Sequence, residues 1–231
     1  MVTWSDAWRE AFRRSKVYDF LTALPLITWF GFCIWVQTPV LALQISQTNF
    51  ETADATCVAG LASKMATLVF IGLFALLLAL RHKPRKRMKG LYPRFAAIAG
   101  TYLGVGIVML PSRELSVPIL LISTALVLSS TVLSIYVLFS LGRSLSLLPE
   151  ARRLITDGPY SFVRHPLYLT EAIGLFGLVL QYLSPLALTL AGLQCVFQFQ
   201  RMKNEERVLL DTFPEYGAYI TTTARLLPGV Y

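Results

Sequence analysis

Residues 158 to 171 read GPYSFVRHPLYLTE and lie where a polar loop ends and a long apolar stretch begins. Pro166 suits the first turn of a helix, because its missing N–H would have had no partner there and its φ is already helical. The backbone amides of the next three residues, 167 to 169, are then free to point out of the membrane beside Arg164 and His165. Such a helix start favours an anion. A simpler interpretation is that Arg164 and His165 only face phospholipid headgroups.

The composition is that of a membrane protein. Of the 231 residues, 55% are hydrophobic and only 15% are charged, which is not the balance of a soluble globule. About twenty apolar residues cross a bilayer as a helix. We therefore predict an all-α polytopic bundle of about six transmembrane helices, the last two forming a proline-broken hairpin, with four crossings as the alternative. The apolar stretches cover residues 17 to 37, 58 to 80, 95 to 110, 115 to 141 and 167 to 199, and the last is broken at Ser184-Pro185.

The charges predict the orientation of these helices. Residues 81 to 94 carry seven Lys or Arg and no acid, whereas residues 38 to 57 carry only Glu51 and Asp54. By the positive-inside rule both termini and the C-terminal segment are cytoplasmic, and the net charge of +8 reflects topology and lipid contacts rather than nucleic acid. Residues 3 to 16 are expected to form an interfacial helix. The three cysteines show no disulfide or metal-ligand spacing, so no metal is predicted.

The chain divides after Leu141. Residues 1–141 are predicted to hold the interfacial helix and four membrane helices, and residues 142–231 to hold the functional core. In the second part, polar side chains recur with spacings of four, three and four on a helix expected from about Pro185 to Thr212. At roughly 40 Å that helix exceeds the hydrocarbon core and must project into the cytoplasm. The side chains are Gln194, Gln198, Arg201 and Glu205, and the alternative reading is a salt bridge between the last two.

Aromatic and acidic residues complete the predicted site. Tyr160, Tyr168, Tyr216 and Tyr219 could stack on a ring or cap a cavity at the membrane surface. Glu171 is either a first-turn acid that compensates the helix dipole or a carboxylate of the site. An anion site, carboxylates and aromatics at the mouth of a membrane cavity together suit a zwitterionic aromatic cofactor.

The pattern G-P-Y-x-x-x-R-H-P-x-Y, followed some thirty residues later by R-x-x-x-E-E, resembles the isoprenylcysteine carboxyl methyltransferase family and its relatives, the phospholipid methyltransferases. The resemblance covers about residues 142 to 231. It implies an all-helical membrane enzyme that binds S-adenosylmethionine without a Rossmann fold and methylates a lipophilic acceptor arriving through the bilayer. Thr170 departs from the family pattern, which usually has glycine there.

The site residues follow from this resemblance together with the pattern described above. Arg201 and Glu205 are the expected catalytic residues, and Glu171, Gln194, Gln198, Tyr216 and Tyr219 are candidates for acceptor contacts. His165 and the amides after Pro166 are expected to hold the cofactor's carboxylate, and Glu205 or Glu206 its ammonium or ribose hydroxyls. If the acceptor is an amine, Glu171 or a tyrosine is the candidate base. The expected cofactor-binding residues are Gly158, Tyr160, Arg164, His165, Pro166, Tyr168, Glu205 and Glu206.

Several alternatives remain open at this stage. Sterol reductases have a related C-terminal region that ends in an acidic helix and binds NADPH, and a non-catalytic scaffold could retain the same fold. The acceptor is also open: a prenylated cysteine, a phospholipid amine or another lipid would fit a greasy entry between helices.

Overall fold

The computed structural model describes residue 12, residues 15–111 and residues 115–229, and the predicted interfacial helix at residues 3 to 16 falls largely outside this range. The described chain is almost entirely helical, with a few short turns and one small strand pair. The helices are α1 (Lys16–Gln47), α2 (Ala55–Leu80), α3 (Leu91–Val108), α4 (Val117–Leu141), α5 (Pro166–Gln181), α6 (Pro185–Leu210) and α7 (Tyr216–Thr222); the strands are β1 (Lys86–Arg87) and β2 (Glu150–Ala151).

Side-chain caps and prolines fix where several helices begin. Ser15 accepts a hydrogen bond from the backbone of Tyr18 at 3.1 Å, and Asp54 accepts one from Cys57 at 2.8 Å. Ser184 caps α6 through the amide of Ala187 at 3.1 Å. These polar caps satisfy amides that would otherwise have no partner at a helix start. Pro166 and Pro185 occupy the first position of their helices, as predicted.

Four helices, α1 to α4, are long and apolar enough to cross a membrane. The chain is therefore a multi-pass membrane protein, and α2, α3 and α4 match the predicted stretches to within a few residues. Helix α1 continues to Gln47, ten residues beyond the predicted end at residue 37, so the loop predicted at residues 38 to 57 is shorter than expected. Helix α5 is apolar but has 16 residues, and the second half of α6 is polar. Six crossings and a cytoplasmic C-terminal segment remain predictions.

The helices form two packed groups. Helix α1 packs on α2, α2 on α4, and α4 on α5, while α3 packs along α6. The two helices of the proline-broken hairpin, α5 and α6, approach each other at few points. That loose contact leaves space between them, and the cavities described below occupy it.

Small and hydroxylated residues hold α5 tightly against α4. Ser123 donates to the carbonyl of Gly177 at 2.9 Å, and Ser130 donates to the carbonyl of Thr170 at 2.8 Å. The hydroxyls of Ser134 and Thr170 lie 2.7 Å apart. Thr170, which departs from the family pattern, is therefore buried in the α4–α5 contact, where small residues and interhelical hydrogen bonds replace the hydrophobic drive that lipid cannot supply.

Glycines of α3 accommodate polar side chains of α6. A Cβ added at Gly100 would lie 3.0 Å from Cδ of Arg201, and one at Gly104 would lie 2.7 Å from Oε1 of Gln194. The absence of a side chain at Gly100 and Gly104 therefore permits the close approach of α6 to α3. Gly106 is less constrained, with Leu190 at an ordinary 3.6 Å.

A buried ion cluster joins the loops at the end of the bundle where α2 ends and α5 begins. Asp19 at the start of α1 pairs with Arg81 and Arg152 at 2.9 Å and with Arg87 at 2.8 Å. Glu150 pairs with Arg152 at 2.5 Å. Two members of the cluster, Arg87 and Glu150, lie on the paired antiparallel strands β1 and β2. The cluster therefore connects the basic loop after α2 to the segment that precedes α5.

Candidate functional site

The loop before α5 is shaped by one glycine and by the C-terminal segment. Gly158 has φ +60°, which a side chain would strain, and it opens a short 3-10 turn. The amide of Arg164 donates to the carbonyl of Ala224 at 2.8 Å, and that of His165 donates to Arg225 at 3.1 Å. The loop and the C-terminal segment are therefore paired backbone to backbone. The sequence predicted that the amide of Leu169 would be free to bind an anion. In the structure this amide donates to the carbonyl of His165 at 3.2 Å, so that part of the prediction is wrong.

A polar cavity opens beside this loop and encloses about 830 Å³ of empty space, including its mouth. Eight of the predicted site residues line it, whereas Gly158 and Pro166 shape the loop and Glu206 lies behind it. The structure thus brings together residues from the loop, α5, α6 and α7. The eight are Tyr160, Arg164, His165, Tyr168, Arg201, Glu205, Tyr216 and Tyr219.

Tyr168, Arg201 and Glu205 form the centre of the cavity wall. The hydroxyl of Tyr168 donates to the carboxylate of Glu205 in a short hydrogen bond. The guanidinium of Arg201 stacks 4.9 Å above the Tyr168 ring and lies 4.0 Å from Glu205. The predicted i, i+4 salt bridge is thus long, and Arg201 is held mainly by other contacts.

Those contacts extend the network into the bundle. Arg201 donates to Thr101 and to the side-chain oxygen of Gln198, each at 3.2 Å, and to the carbonyl of Leu147 at 3.4 Å. The amide of Gln198 donates to Glu171 at 2.5 Å. The polar stripe predicted on α6 is therefore one connected network reaching α5.

Glu206 faces a different group of residues, at the polar end of α6 outside the four candidate spans. Its carboxylate lies 3.1 Å from Nε2 of His165, 3.2 Å from Arg164 and 2.6 Å from Arg225. Burial opposes ionisation of this group, but the hydrogen bonds from His165 and Arg225 and the nearby positive charges outweigh it and lower its pKa to about 2. Glu206 is thus a stable anion that fastens the loop to the C-terminal segment.

Three tyrosines, Tyr160, Tyr216 and Tyr219, line the polar cavity. The hydroxyl of Tyr219 donates to the carbonyl of Tyr160 at 2.5 Å, and the Tyr219 ring lies 5.6 Å from that of Tyr216. Burial raises the pKa of Tyr219 to about 12, and burial also raises the pKa of Tyr160 and of Tyr216. All three phenols are neutral at physiological pH and offer donors and ring faces.

A second cavity, with about 570 Å³ of empty space including its mouth, lies between α5 and α6. It contains three predicted residues, Glu171, Gln194 and Gln198, among mainly apolar neighbours, and Tyr168 belongs to its wall as well. Glu171 is the sixth residue of α5, so the first-turn alternative is wrong. The structure separates the predicted residues into two adjoining cavities that share one tyrosine.

Sequence reasoning missed several residues of the polar cavity. Glu150, Arg152 and Arg153 line it, although in the sequence they look like ordinary loop charges. Asp19, which holds Arg152, gave one usable signal, since an acid inside an apolar stretch is a candidate for a specific partner. Within the described ranges no group of three or more His, Cys, Asp or Glu could hold a metal ion.

The fold and the two cavities define a helical, multi-pass membrane protein with a polar site at one end of the bundle and an apolar chamber beside it. Residues 118–216 match the family model described as phospholipid methyltransferase. The match runs from α4 to the start of α7 and includes α5 and α6, which contribute residues to both cavities. The family resemblance predicted from the sequence is thereby confirmed for this segment.

Two curated proteins are similar to part of the chain. A cobalt-zinc-cadmium resistance protein of Cupriavidus metallidurans is 33% identical over 76 residues, 32% of this chain and 35% of that protein. A nickel-cobalt-cadmium resistance protein of Alcaligenes xylosoxydans xylosoxydans is 30% identical over 80 residues, 34% of this chain and 38% of that protein. The chain spans little more than a third of the length of these relatives.

Proposed function

We propose that this protein transfers a methyl group from S-adenosylmethionine to a lipophilic acceptor at the membrane surface. The observation that carries the proposal is the position of Tyr168, which lies in the wall of both cavities. A polar cavity suits a water-soluble donor and an apolar cavity between two helices suits a lipid acceptor. A shared wall puts the two reactants next to each other.

The polar cavity offers partners for each part of the cofactor. Arg164 and Arg201 line the cavity, and a guanidinium group suits a carboxylate. Glu205 offers an acceptor for an ammonium or for ribose hydroxyls. Tyr160 and Tyr219 offer ring faces for an adenine. The residues present therefore fit S-adenosylmethionine.

The positions of Glu205 and Glu206 lead us to assign them different roles. Glu205 lines the cavity and is the acid we assign to the cofactor. Glu206 and His165 hold each other, so we assign them to the wall of the cavity, where they orient Arg164. The earlier expectation that Glu206 binds the cofactor directly is left as the less favoured assignment.

When bound, S-adenosylmethionine supplies a methyl group already activated by a sulfonium. The protein's contribution is then alignment and the exclusion of water rather than covalent catalysis. Arg201 lines the polar cavity and stacks on Tyr168, which belongs to both cavities, so we assign Arg201 to orient the acceptor. Tyr168 is held by Glu205 and Arg201, so we assign it to keep the wall between the two cavities in a fixed position.

Calorimetric titration of the purified protein with S-adenosylhomocysteine, with NADPH as the comparison ligand, tests the proposal. Saturable binding of S-adenosylhomocysteine alone is the expected result. Binding of NADPH alone would replace the proposal with a reductase. Folded protein that binds neither would favour the scaffold, and cofactor binding without methyl transfer to any lipid extract would do the same.

A further inference from the structure

Four basic residues meet at the end of the bundle where α1 begins and where α2 and α4 end. The amide of His82 donates to the carbonyl of Arg143 at 2.8 Å, and Nε of Arg143 donates to the carbonyl of Leu80 at 2.6 Å. Arg152 donates to the carbonyl of His82, which brings the next residue along the chain, Arg153, to the same place. We call this group the basic patch, and its members are Lys16, His82, Arg143 and Arg153.

The basic patch lacks a counterion in the part of the chain that the structure describes. Asp19 and Glu150 lie in the neighbouring ion cluster, where three arginines already pair with them. Among the described residues no acid forms an ion pair with a member of the patch. Desolvation lowers the pKa of His82, and the positive charges of the other three members lower it further. The patch therefore carries positive charge that the described residues leave uncompensated.

An apolar groove lies beside the patch, between the first turns of α1 and the last turn of α2. It encloses about 630 Å³ of empty space, including its mouth, and Lys16 of the patch is one of its lining residues. The lining residue Leu78 is fully buried, whereas Val17 and Phe20 are 61% and 42% exposed, so the groove is open on its α1 side. Asp19 also lines the groove, but its carboxylate is occupied by the ion cluster. Because α1 begins and α2 ends here and both are candidate membrane spans, the groove lies at the membrane boundary.

We propose that this end of the bundle binds an anionic phospholipid, with the headgroup phosphate on the basic patch and part of an acyl chain in the groove. Ammonium and guanidinium groups are favourable donors to a lipid phosphate. The groove favours a lipid over a free phosphate ion, because only a lipid has a chain to fill it. A zwitterionic lipid is disfavoured, since its own cation would meet an excess of positive charge. The site shares no lining residue with the cavity between α5 and α6 and is independent of the proposed methyl transfer.

Native mass spectrometry of the purified full chain in detergent measures lipid binding, with phosphatidylglycerol and phosphatidylcholine of identical acyl chains as the probes. We expect phosphatidylglycerol to bind at least about tenfold more tightly. Lys16→Gln combined with Arg153→Gln should lower its affinity about 20-fold, since each cation near an anionic headgroup contributes about fivefold. Neither side chain makes a hydrogen bond within the described ranges, so the fold should survive the change. Arg153 also lines the polar cavity, so the quantity compared is lipid affinity and not activity.

The matched control is Lys89→Gln with Lys203→Gln, which removes two exposed cations outside the patch. Its affinity for phosphatidylglycerol should stay within about twofold of that of the unmodified protein, because charges far from the headgroup are screened. Equal losses in the two double variants would show that overall charge attracts the lipid. Equal binding of the two lipids by the unmodified protein would show that the headgroup is not recognised. Either result would overturn the proposal.

The groove has its own test, in which Ala79→Trp fills it and Leu76→Trp changes an exposed position of the same helix. We expect Ala79→Trp to weaken phosphatidylglycerol binding about tenfold, as the loss of burial of about two methylene groups would give, and Leu76→Trp to leave it unchanged. Thermal unfolding of both variants serves as the control for folding. Equal affinities of the two folded variants would overturn the assignment of the chain to the groove.

Two further outcomes would assign the site to another occupant. Excess glycerol 3-phosphate should not displace the lipid, and displacement by this soluble headgroup would show that the patch binds a free phosphate instead. Lipid binding that appears only after residues 2 to 11 are removed would assign the groove to that segment of the chain. Each of these results would overturn the proposal.

Discussion

Glu205 and Glu206 are adjacent in the sequence but serve different parts of the site. Glu205 accepts the hydroxyl of Tyr168 inside the polar cavity, whereas Glu206 lies 3.1 Å from His165 and 2.6 Å from Arg225 outside it. Successive residues on a helix point about 100° apart, so one pair of acids reaches two environments. Substitution of each acid should therefore have a distinct effect.

Glu205→Gln should weaken cofactor binding while leaving the fold intact. The amide keeps the shape and can still accept from Tyr168, but it loses the charge that faces the cavity. We expect the affinity for S-adenosylhomocysteine to fall about tenfold, which is 1.4 kcal/mol. Calorimetry measures it, and thermal unfolding in the same detergent serves as the control for folding. Unchanged affinity would assign the ammonium or ribose contact to another group.

Glu206→Gln should instead lower stability, and the loss should depend on pH. An acid whose pKa in the folded protein lies below its unfolded value of 4.5 stabilises the fold above about pH 4.5, and this contribution disappears as pH falls toward about 2. The difference in unfolding free energy should be about 3 kcal/mol at pH 7 and should shrink as the pH falls from about 4.5 toward about 2. Unfolding curves of both proteins across this range measure it. A difference independent of pH would show that charge is not the cause.

The close contact of α5 with α4 predicts a glycine effect with an internal control. A Cβ at Gly177 would lie 2.9 Å from Val127 and 3.0 Å from the carbonyl of Ser123, whereas one at Gly192 of α6 would meet nothing within 4 Å. Gly177→Ala should cost about 1 to 3 kcal/mol because backbone atoms cannot yield. Gly192→Ala should be neutral or stabilising by up to about 1 kcal/mol. Thermal unfolding compares them, and equal effects would contradict the helix contact described here.

The buried ion cluster predicts a contrast between two aspartates. Asp19→Asn leaves buried arginines without their shared anion, so we expect a loss of about 3 to 5 kcal/mol. Asp211→Asn removes an exposed pair with Lys86 at 3.0 Å and should cost less than about 1 kcal/mol. Limited proteolysis of the loop after α2, together with unfolding curves, measures both. Similar stability of the two variants would mean that water screens the cluster.

Local signals were enough to predict helices α2 to α6, whereas α7 was not predicted and α1 extends beyond its predicted end. Apolar length gave the four long spans, Pro166 and Pro185 marked the helix starts, and the spacing from Gln194 to Glu205 predicted the polar stripe. Each of these features depends on residues a few positions apart. The division of the site residues into two cavities could not be predicted, because it depends on how far α5 and α6 separate.

Contacts between segments that are distant in the sequence could not be predicted either. Asp19 meets Arg152 across 133 positions, and strands of two residues each carry no periodicity that could be recognised. The contacts of Glu206 could not be predicted either, because its partner Arg225 comes from the C-terminal segment. Spacing along one helix shows which face a residue occupies but not what covers that face.

The pairing of Arg164 and His165 with Ala224 and Arg225 also bears on the order in which the protein is made. Helices α1 to α6 precede residues 224 and 225 in the chain, so they can form while the loop that lines the polar cavity still lacks its backbone partners. Assembly of the site is thus separated in time from assembly of the membrane bundle. A chain arrested before these residues would carry every helix of the bundle and no finished site.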